Sequence, residues 1–353
     1  MNKLIYIAPD YFPEQKANSI HVINQVNALA RIDIKVQLIY KSENGETSNE
    51  ILKNVEQTPI HIRRGRHSNV SFFFALCRRY KWINNTPVLT RSRISVMLFL
   101  FSRRSKKVVF EAHEPLNKLW LRILVMSKRI PVIAISAALE KIICRETNDS
   151  GKISILHDGS DLVDFSDICS KKKHKPKVVY VGSVGRGRGI ELILKLAASL
   201  GECDFHIVGN LEESFEVSVL NLTNVSFHGW KSKLEILQIV KNADVLLAPY
   251  QNDLKLDNGL NTLDYMSPLK IFEYMSFNVP MVVSDYPVIR EVLDNQIDAL
   301  LVEPSDIDQW ISAIQSILAN PDLATFLSNN ALNKLESNFT WERRAEGILN
   351  IFE

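Results

Sequence analysis

Ser267-Pro268-Leu269-Lys270-Ile271-Phe272-Glu273-Tyr274-Met275 places a cation and a carboxylate about one helical turn apart, just inside a predicted helix start. Ser267 is a good N-cap, and Pro268 suits the first helical position, where its missing N–H has no intrahelical partner to lose. Free backbone N–H groups, the positive dipole end and Lys270 then favour an anion, while Glu273 can accept from hydroxyls. A diphosphate and a ribose diol match that layout. The pattern also fits a buried amphipathic helix with incidental polar residues.

A second segment, Tyr180-Val-Gly-Ser-Val-Gly-Arg-Gly-Arg-Gly189, joins a predicted strand to a helix starting near Ile190. Its glycines can bring backbone N–H groups close to a phosphate. His113 follows the predicted strand Val108–Glu111 at its carboxyl end, where open parallel sheets place their ligands. Glu111 and Glu114 flank it.

Two alternating series of strands and helices must hold these groups. Apolar runs at 4–8, 36–40, 87–89, 108–111 and 132–135 predict a parallel sheet with crossover helices, one of them over Ser19–Ala30. Runs at 178–181, 205–208, 225–227, 245–248, 281–283 and 299–302 predict a second sheet, with a helix over Glu191–Leu200. Cys169-Ser-Lys-Lys-Lys-His-Lys-Pro-Lys177 is polar and aperiodic, as a linker would be. Two doubly wound domains, 1–166 and 178–338, are expected around a 167–177 linker, which suits 353 residues.

The segment from Ser267 to Met275, with Pro280 and Val283-Ser284-Asp285 behind it, resembles the donor site of retaining nucleotide-sugar glycosyltransferases of family 4. That resemblance implies a GT-B architecture, two Rossmann-like domains facing a central cleft, with 339–353 forming a helix that crosses back to the first domain. Glu273 would grip the donor ribose. The family places another Glu eight residues earlier, at the sugar, where this chain has Tyr265 beside Asp264. Gly182-Ser183 stands where Gly-Arg is common, and Arg188-Gly189 where Lys-Gly is common, so Arg188 inherits the diphosphate contact. Either Arg186 or Lys270 supplies the charge missing at Ser183, unless Arg186 is simply an exposed loop residue. His113 would sit beside the donor sugar.

On the acceptor side the family's glycine pair is absent. Asn18 and Ser19 stand there, able to cap a helix or to bond a sugar, and Arg91 could meet an acceptor phosphate. Val225-Ser-Phe-His-Gly-Trp230 resembles the turn beside the nucleobase, where Trp230 could stack or merely pack. His157-Asp-Gly-Ser-Asp161 resembles the stretch ending the first domain.

Bulk properties exclude several classes. No apolar run approaches the roughly 20 residues of a membrane helix. The N-terminus has no signal-peptide pattern. Four scattered cysteines and eight histidines without ligand spacing argue against a zinc site or disulfide framework, so no metal, no cofactor and a reduced cytoplasmic setting are expected. Residues 1–170 hold 25 Lys+Arg against 16 Asp+Glu, and the remainder 17 against 24. The basic half, rich in arginine from Arg63 to Arg129 with Phe72, Phe73, Phe74, Tyr80 and Trp82 interleaved, suits either an anionic membrane surface or a solvated face.

The combined expectation is a metal-independent transferase moving a sugar from a nucleoside diphosphate to a growing, lipid-linked glycan in bacterial surface polysaccharide assembly. It would act on the cytoplasmic face of the inner membrane, without nucleic acid. An epimerase of the same fold and a noncatalytic sugar-nucleotide binder are the competing readings.

Overall fold

The computed structural model describes residues 1–13, 17–79, 86–100, 107–116, 120, 130–147, 153–165, 175–185, 187–210, 222–252 and 261–353. Most of the expected linker, the basic residues Lys81, Arg103, Arg104 and Lys106, Tyr80, Trp82 and the candidate Arg186 lie outside these. The chain forms two compact units. One comprises Met1–Asp158, Tyr265–Ser267 and Trp341–Glu353, the other Gly159–Asp264 and Pro268–Thr340. They are called the N-terminal and C-terminal units below.

The N-terminal unit is built on a seven-stranded sheet of order β3-β2-β1-β4-β5-β6-β7. Its strands are β1 (Lys3–Tyr11), β2 (Lys35–Ser42), β3 (Glu56–His61), β4 (Val88–Thr90), β5 (Val108–Ala112), β6 (Val132–Ala134) and β7 (Ile153–Ile155). Every pairing is parallel. Parallel strands covered on both faces need continuous apolar runs, and Leu4–Ala8 and Val108–Ala112 are buried at every position. The expected strands are present. β3 and β7 were not legible, because Glu-Gln-Thr-Pro-Ile-His and Ile-Ser-Ile carry no buried run. Both lie at sheet edges, where Pro59 is tolerated.

Helices α1 (Ala17–Arg31), α2 (Ser68–Arg79), α3 (Arg93–Leu100) and α4 (Ala137–Thr147) accompany this sheet. The C-terminal helix also belongs to this unit. It follows α5 (Ile190–Ser199), α6 (Lys233–Val240), α7 (Leu269–Ser276), α8 (Ile307–Ala319) and α9 (Pro321–Lys334), and is α10 (Trp341–Phe352). Trp341, Arg344, Ala345 and Ile348 form its buried stripe at helical spacing, so an arginine occupies an apolar face.

The C-terminal unit carries a six-stranded sheet of order β10-β9-β8-β11-β12-β13. Its strands, β8 (Lys177–Val181), β9 (Asp204–Val208), β10 (Val225–Phe227), β11 (Val245–Ala248), β12 (Met281–Ser284) and β13 (Leu300–Val302), also pair in parallel. In both sheets the strand order reverses beside the unit's first strand, between β1 and β4 and between β8 and β11. Ligands of open parallel sheets bind beyond the carboxyl ends at that reversal. No helix among the described residues is long and apolar enough to cross a membrane.

Candidate functional site

In the C-terminal unit the reversal is occupied by the glycine-rich turn and by α7. After β8, Gly182 adopts φ 153° and the chain turns into α5, whose N-cap is Gly189 at φ 77°. Gly189 has no room for a side chain, and one at Gly182 would displace Lys270. A Cβ on Gly189 would lie 1.9 Å from the Pro249 carbonyl oxygen, and one on Gly182 would lie 2.6 Å from Lys270 Nζ. The turn is thereby pressed against the end of β11 and against Lys270.

Helix α7 begins at Leu269, one residue later than its sequence suggests. Its N-cap position is Pro268, with no side-chain cap bond. Ser267 is not the cap: its hydroxyl accepts from the Asp158 N–H at 2.8 Å and is buried. Pro268 instead supplies the carbonyl that receives the Ile271 N–H at 2.9 Å. Tyr274, fully buried, ties the helix to the sheet, accepting from the Val181 N–H at 2.8 Å and donating to the Leu247 carbonyl at 3.1 Å.

That anchorage fixes Lys270. Its ammonium stands 3.9 Å from the centroid of the Tyr180 ring and 5.5 Å from that of Tyr250, a cation held by two aromatic faces. Burial and then the neighbouring Arg188 hold its pKa well below the ordinary lysine range, with Glu273 pulling the other way. The Tyr250 hydroxyl is pushed up by burial. Two cations near each other, one of them desolvated, make a site whose electrostatic deficit an anion would remove. Arg188 is half-buried, Leu269 half-buried and Glu273 exposed on the next turn of α7. Ser183 is exposed, and its carbonyl accepts from the Tyr180 hydroxyl at 2.8 Å.

The structure gathers Gly182, Lys270 and Arg188, and the turn before Trp230 reaches them through Gly209, which bonds Gly229 and packs on Gly182. Trp230, in the turn after β10, is 55% exposed. Asp264 is exposed at the end of a short turn, Thr262–Asp264. Tyr265 is buried in the N-terminal unit's core and accepts from the Ser136 hydroxyl through its carbonyl.

In the N-terminal unit a buried charge cluster lies beneath the reversal. Glu111, on β5 and fully buried, accepts from the Tyr6 hydroxyl at 2.6 Å and from Arg344 Nη2 at 2.5 Å. His21 of α1 bridges two carboxylates, with Nε2 3.2 Å from Glu111 and Nδ1 2.8 Å from Asp158. Burial raises the Glu111 pKa, but Arg344, His21 and His113 outweigh it and hold the carboxyl well below the usual range. The same balance holds Asp158 down. Little of this was legible in the sequence, because the partners come from α1, β5, the segment after β7, and α10.

His113 stands over this cluster, its Nε2 3.4 Å from Glu111 Oε2. Burial, then Arg91, lowers its pKa to about 3 against the pull of Glu111, so its ring is neutral at physiological pH. His21, Glu111 and His113 present ligand atoms within 4.8 Å of one another, as a cation would need. Arg344 already supplies positive charge to Glu111, so an added cation would meet a guanidinium there. Glu114 pairs with Arg93 instead.

Asn18 and Arg91 do meet. Arg91 donates to the Asn18 carbonyl at 3.1 Å and to its side chain at 3.3 Å, with Asp10 3.9 Å away. Its side chain is only 6% exposed. Both Asn18 and Ser19 lie within α1 rather than capping it, and Ser19 is buried. In the basic region, Phe72 is a core residue rather than a surface aromatic, whereas Phe74 is 60% exposed.

Residues 165–334 match the family model described as glycosyl transferases group 1. An uncharacterized glycosyltransferase of Methanocaldococcus jannaschii is 24% identical, over 81% of this chain and 79% of its own. The O-antigen chain mannosyltransferase RfbU of Salmonella typhimurium is 30% identical over 56% and 54%, so this chain spans about half of that relative. A UDP-Gal:alpha-D-GlcNAc-diphosphoundecaprenol alpha-1,3-galactosyltransferase of Escherichia coli is 23% identical over 71% and 65%. Among solved structures, a Rickettsia africae glycosyltransferase superposes with a TM-score of 0.76 at 15% identity, covering 100% and 98% of the two chains. Anabaena HepE in complex with UDP gives 0.73 at 12%, covering 99% and 98%. With two parallel Rossmann-like sheets and a glycine-rich turn packed on a lysine helix, the chain has the GT-B fold, and its residues 165–334 are a glycosyl transferases group 1 segment.

Proposed function

We propose that this glycosyltransferase moves a hexose, with retained anomeric configuration, from a nucleoside diphosphate sugar to a growing, lipid-linked glycan of a bacterial surface polysaccharide. The observation that carries the donor side is Lys270, held over Tyr180 and against Gly182 at the strand-order reversal of the C-terminal sheet. Lys270, Arg188 and the backbone N–H groups of the turn would bind the diphosphate and stabilise the charge it gains as the glycosidic bond breaks. Donors preorganised in this way contribute about 3 kcal/mol each. In this reading no metal is needed for the leaving group, Glu273 accepts from the ribose, and the leaving diphosphate takes the acceptor's proton.

His113 would contribute by being neutral, since an imidazolium would oppose the positive charge developing at the anomeric carbon. The glycan context is supported by RfbU and by the galactosyltransferase, whose names place them in O-antigen and diphosphoundecaprenol-linked synthesis. The UDP-bound neighbour supports the donor class. The basic N-terminal half would bring the enzyme to the anionic cytoplasmic face of the inner membrane.

Incubation with a panel of nucleoside diphosphate sugars tests the reading. A transferase releases nucleoside diphosphate slowly by hydrolysis and faster with an acceptor lipid. Appearance of an isomeric nucleotide sugar would show an epimerase instead, and no turnover of any donor would show a binding protein.

A further inference from the structure

Among the described residues, several basic side chains of the N-terminal unit converge on one stretch of surface. The loop from the end of β3 to the first turn of α2 borders an open surface cavity of about 440 Å³, lined by His61, Arg63, Arg64, Arg66, His67 and Ser68 among others. Arg64 pairs with Glu43 at 2.8 Å. Neither Arg63 nor Arg66 has a carboxylate within ion-pair distance among the described residues, and both side chains are exposed.

A buried lysine outside the cavity's lining braces the loop from beneath. Lys41, at the end of β2, is 4% exposed and donates to Asn69 of α2 at 3.0 Å. It lies 4.5 Å from the centroid of the Tyr11 ring, while the Arg64 guanidinium lies 4.7 Å from it. The Tyr11 hydroxyl donates to the Arg63 carbonyl and holds the loop. Burial lowers the Lys41 pKa, Asp10 opposes this and Arg64 reinforces it. Three arginines, Arg63, Arg64 and Arg66, thus line the cavity against one paired carboxylate, Glu43, with His61 and His67 alongside. Such a concentration is relieved by a polyvalent anion.

We propose that this cavity binds the phosphate or diphosphate of an ester ligand, separately from the donor diphosphate. Guanidinium forks suit phosphate oxygens, and the start of a twelve-residue helix adds a favourable dipole. A nucleotide is the poorer fit, because no Tyr, Trp or Phe side chain lines the cavity to stack on a base. Beside the cavity, Val70 and Phe74 of α2 are 43% and 60% exposed one turn apart. They set an apolar surface next to the anion site, as a phosphate carried on a hydrocarbon chain would require. Assigning that phosphate to the acceptor rests on the proposed transferase reading; the anion site itself does not.

Calorimetric titration with inorganic pyrophosphate tests both. Wild-type protein should show two sites. Arg63→Ser/Arg66→Ser, two exposed residues whose loss should leave the melting temperature unchanged, should weaken one of them at least tenfold. Arg188→Ala/Lys270→Ala should weaken only the other. Two sites of unchanged affinity in the Arg63→Ser/Arg66→Ser protein overturn the cavity proposal. Two unchanged sites in the Arg188→Ala/Lys270→Ala protein overturn the donor reading and leave the cavity standing. Phosphatidylcholine vesicles doped with equal mole fractions of phosphatidic acid or phosphatidylglycerol separate the sources. Preference for the phosphomonoester lipid that disappears in Arg63→Ser/Arg66→Ser assigns a lipid phosphate. Equal retention, with pyrophosphate binding intact, assigns a water-soluble ester.

Discussion

Acid should destabilise the N-terminal unit partly through His113. Burial and Arg91 hold its ring down at about 3, with Glu111 opposing, against 6.5 for an ordinary histidine. Between those values the unfolded chain binds a proton at this position and the folded chain does not. The stability associated with His113 is therefore present above about pH 6.5 and is lost as the pH falls toward 3. One proton taken up on unfolding changes stability by about 1.4 kcal/mol per pH unit. Lowering the pH from about 6.5 to about 4.5 should thus remove about 2 kcal/mol, allowing for partial protonation at the start. His113→Gln keeps a polar side chain of similar reach but cannot titrate. Urea titrations of both proteins at the two pH values should show the wild type losing about 2 kcal/mol more than the variant. Titrating groups remote from His113 are common to both proteins and cancel. Equal losses would refute the neutral buried ring, and with it the argument that His113 adds no charge beside a cationic sugar.

Arg344→Met should destabilise the N-terminal unit by about 3 to 5 kcal/mol, since it leaves Glu111 buried without its main counter-charge. Adding Glu111→Gln should cost less than the sum of the two single changes; strict additivity in denaturant titrations would mean that the pair does not interact. Gly189→Ala should abolish donor binding or folding of the C-terminal unit, because its Cβ would lie 1.9 Å from a backbone oxygen. A soluble, active Gly189→Ala protein would show that the turn can move. Binding of UDP or GDP should draw a proton onto Lys270, whose pKa burial and Arg188 depress in the free protein. Calorimetry at mildly alkaline pH in two buffers of different ionisation enthalpy should detect that uptake, and Lys270→Met should lose it.

Legibility differed between the two halves of the problem. The buried parallel strands announce themselves as apolar runs, so most of both sheets could be read from sequence. Edge strands β3 and β7 could not, because their neighbours and not their own residues define them. Lys270 was legible because the helix and its glycine-rich partner are each local in sequence. The cap was not. Ser267 has the right chemistry, but a tertiary bond to Asp158 outcompetes the local one. The Glu111, His21, Asp158 and Arg344 cluster was invisible for a related reason: its members are up to 323 residues apart and carry no spacing. A single signal pointed to it, an arginine on the apolar stripe of α10, which demands a buried partner.

The central claim is that the cations at the strand-order reversal of the C-terminal unit stabilise a leaving diphosphate. It is tested most directly by Arg188→Ala, assayed for nucleoside diphosphate release with the best donor and acceptor found for the wild type. Turnover should fall about a hundredfold or more while the melting temperature stays unchanged. Turnover close to wild type in a normally folded Arg188→Ala protein would contradict the account.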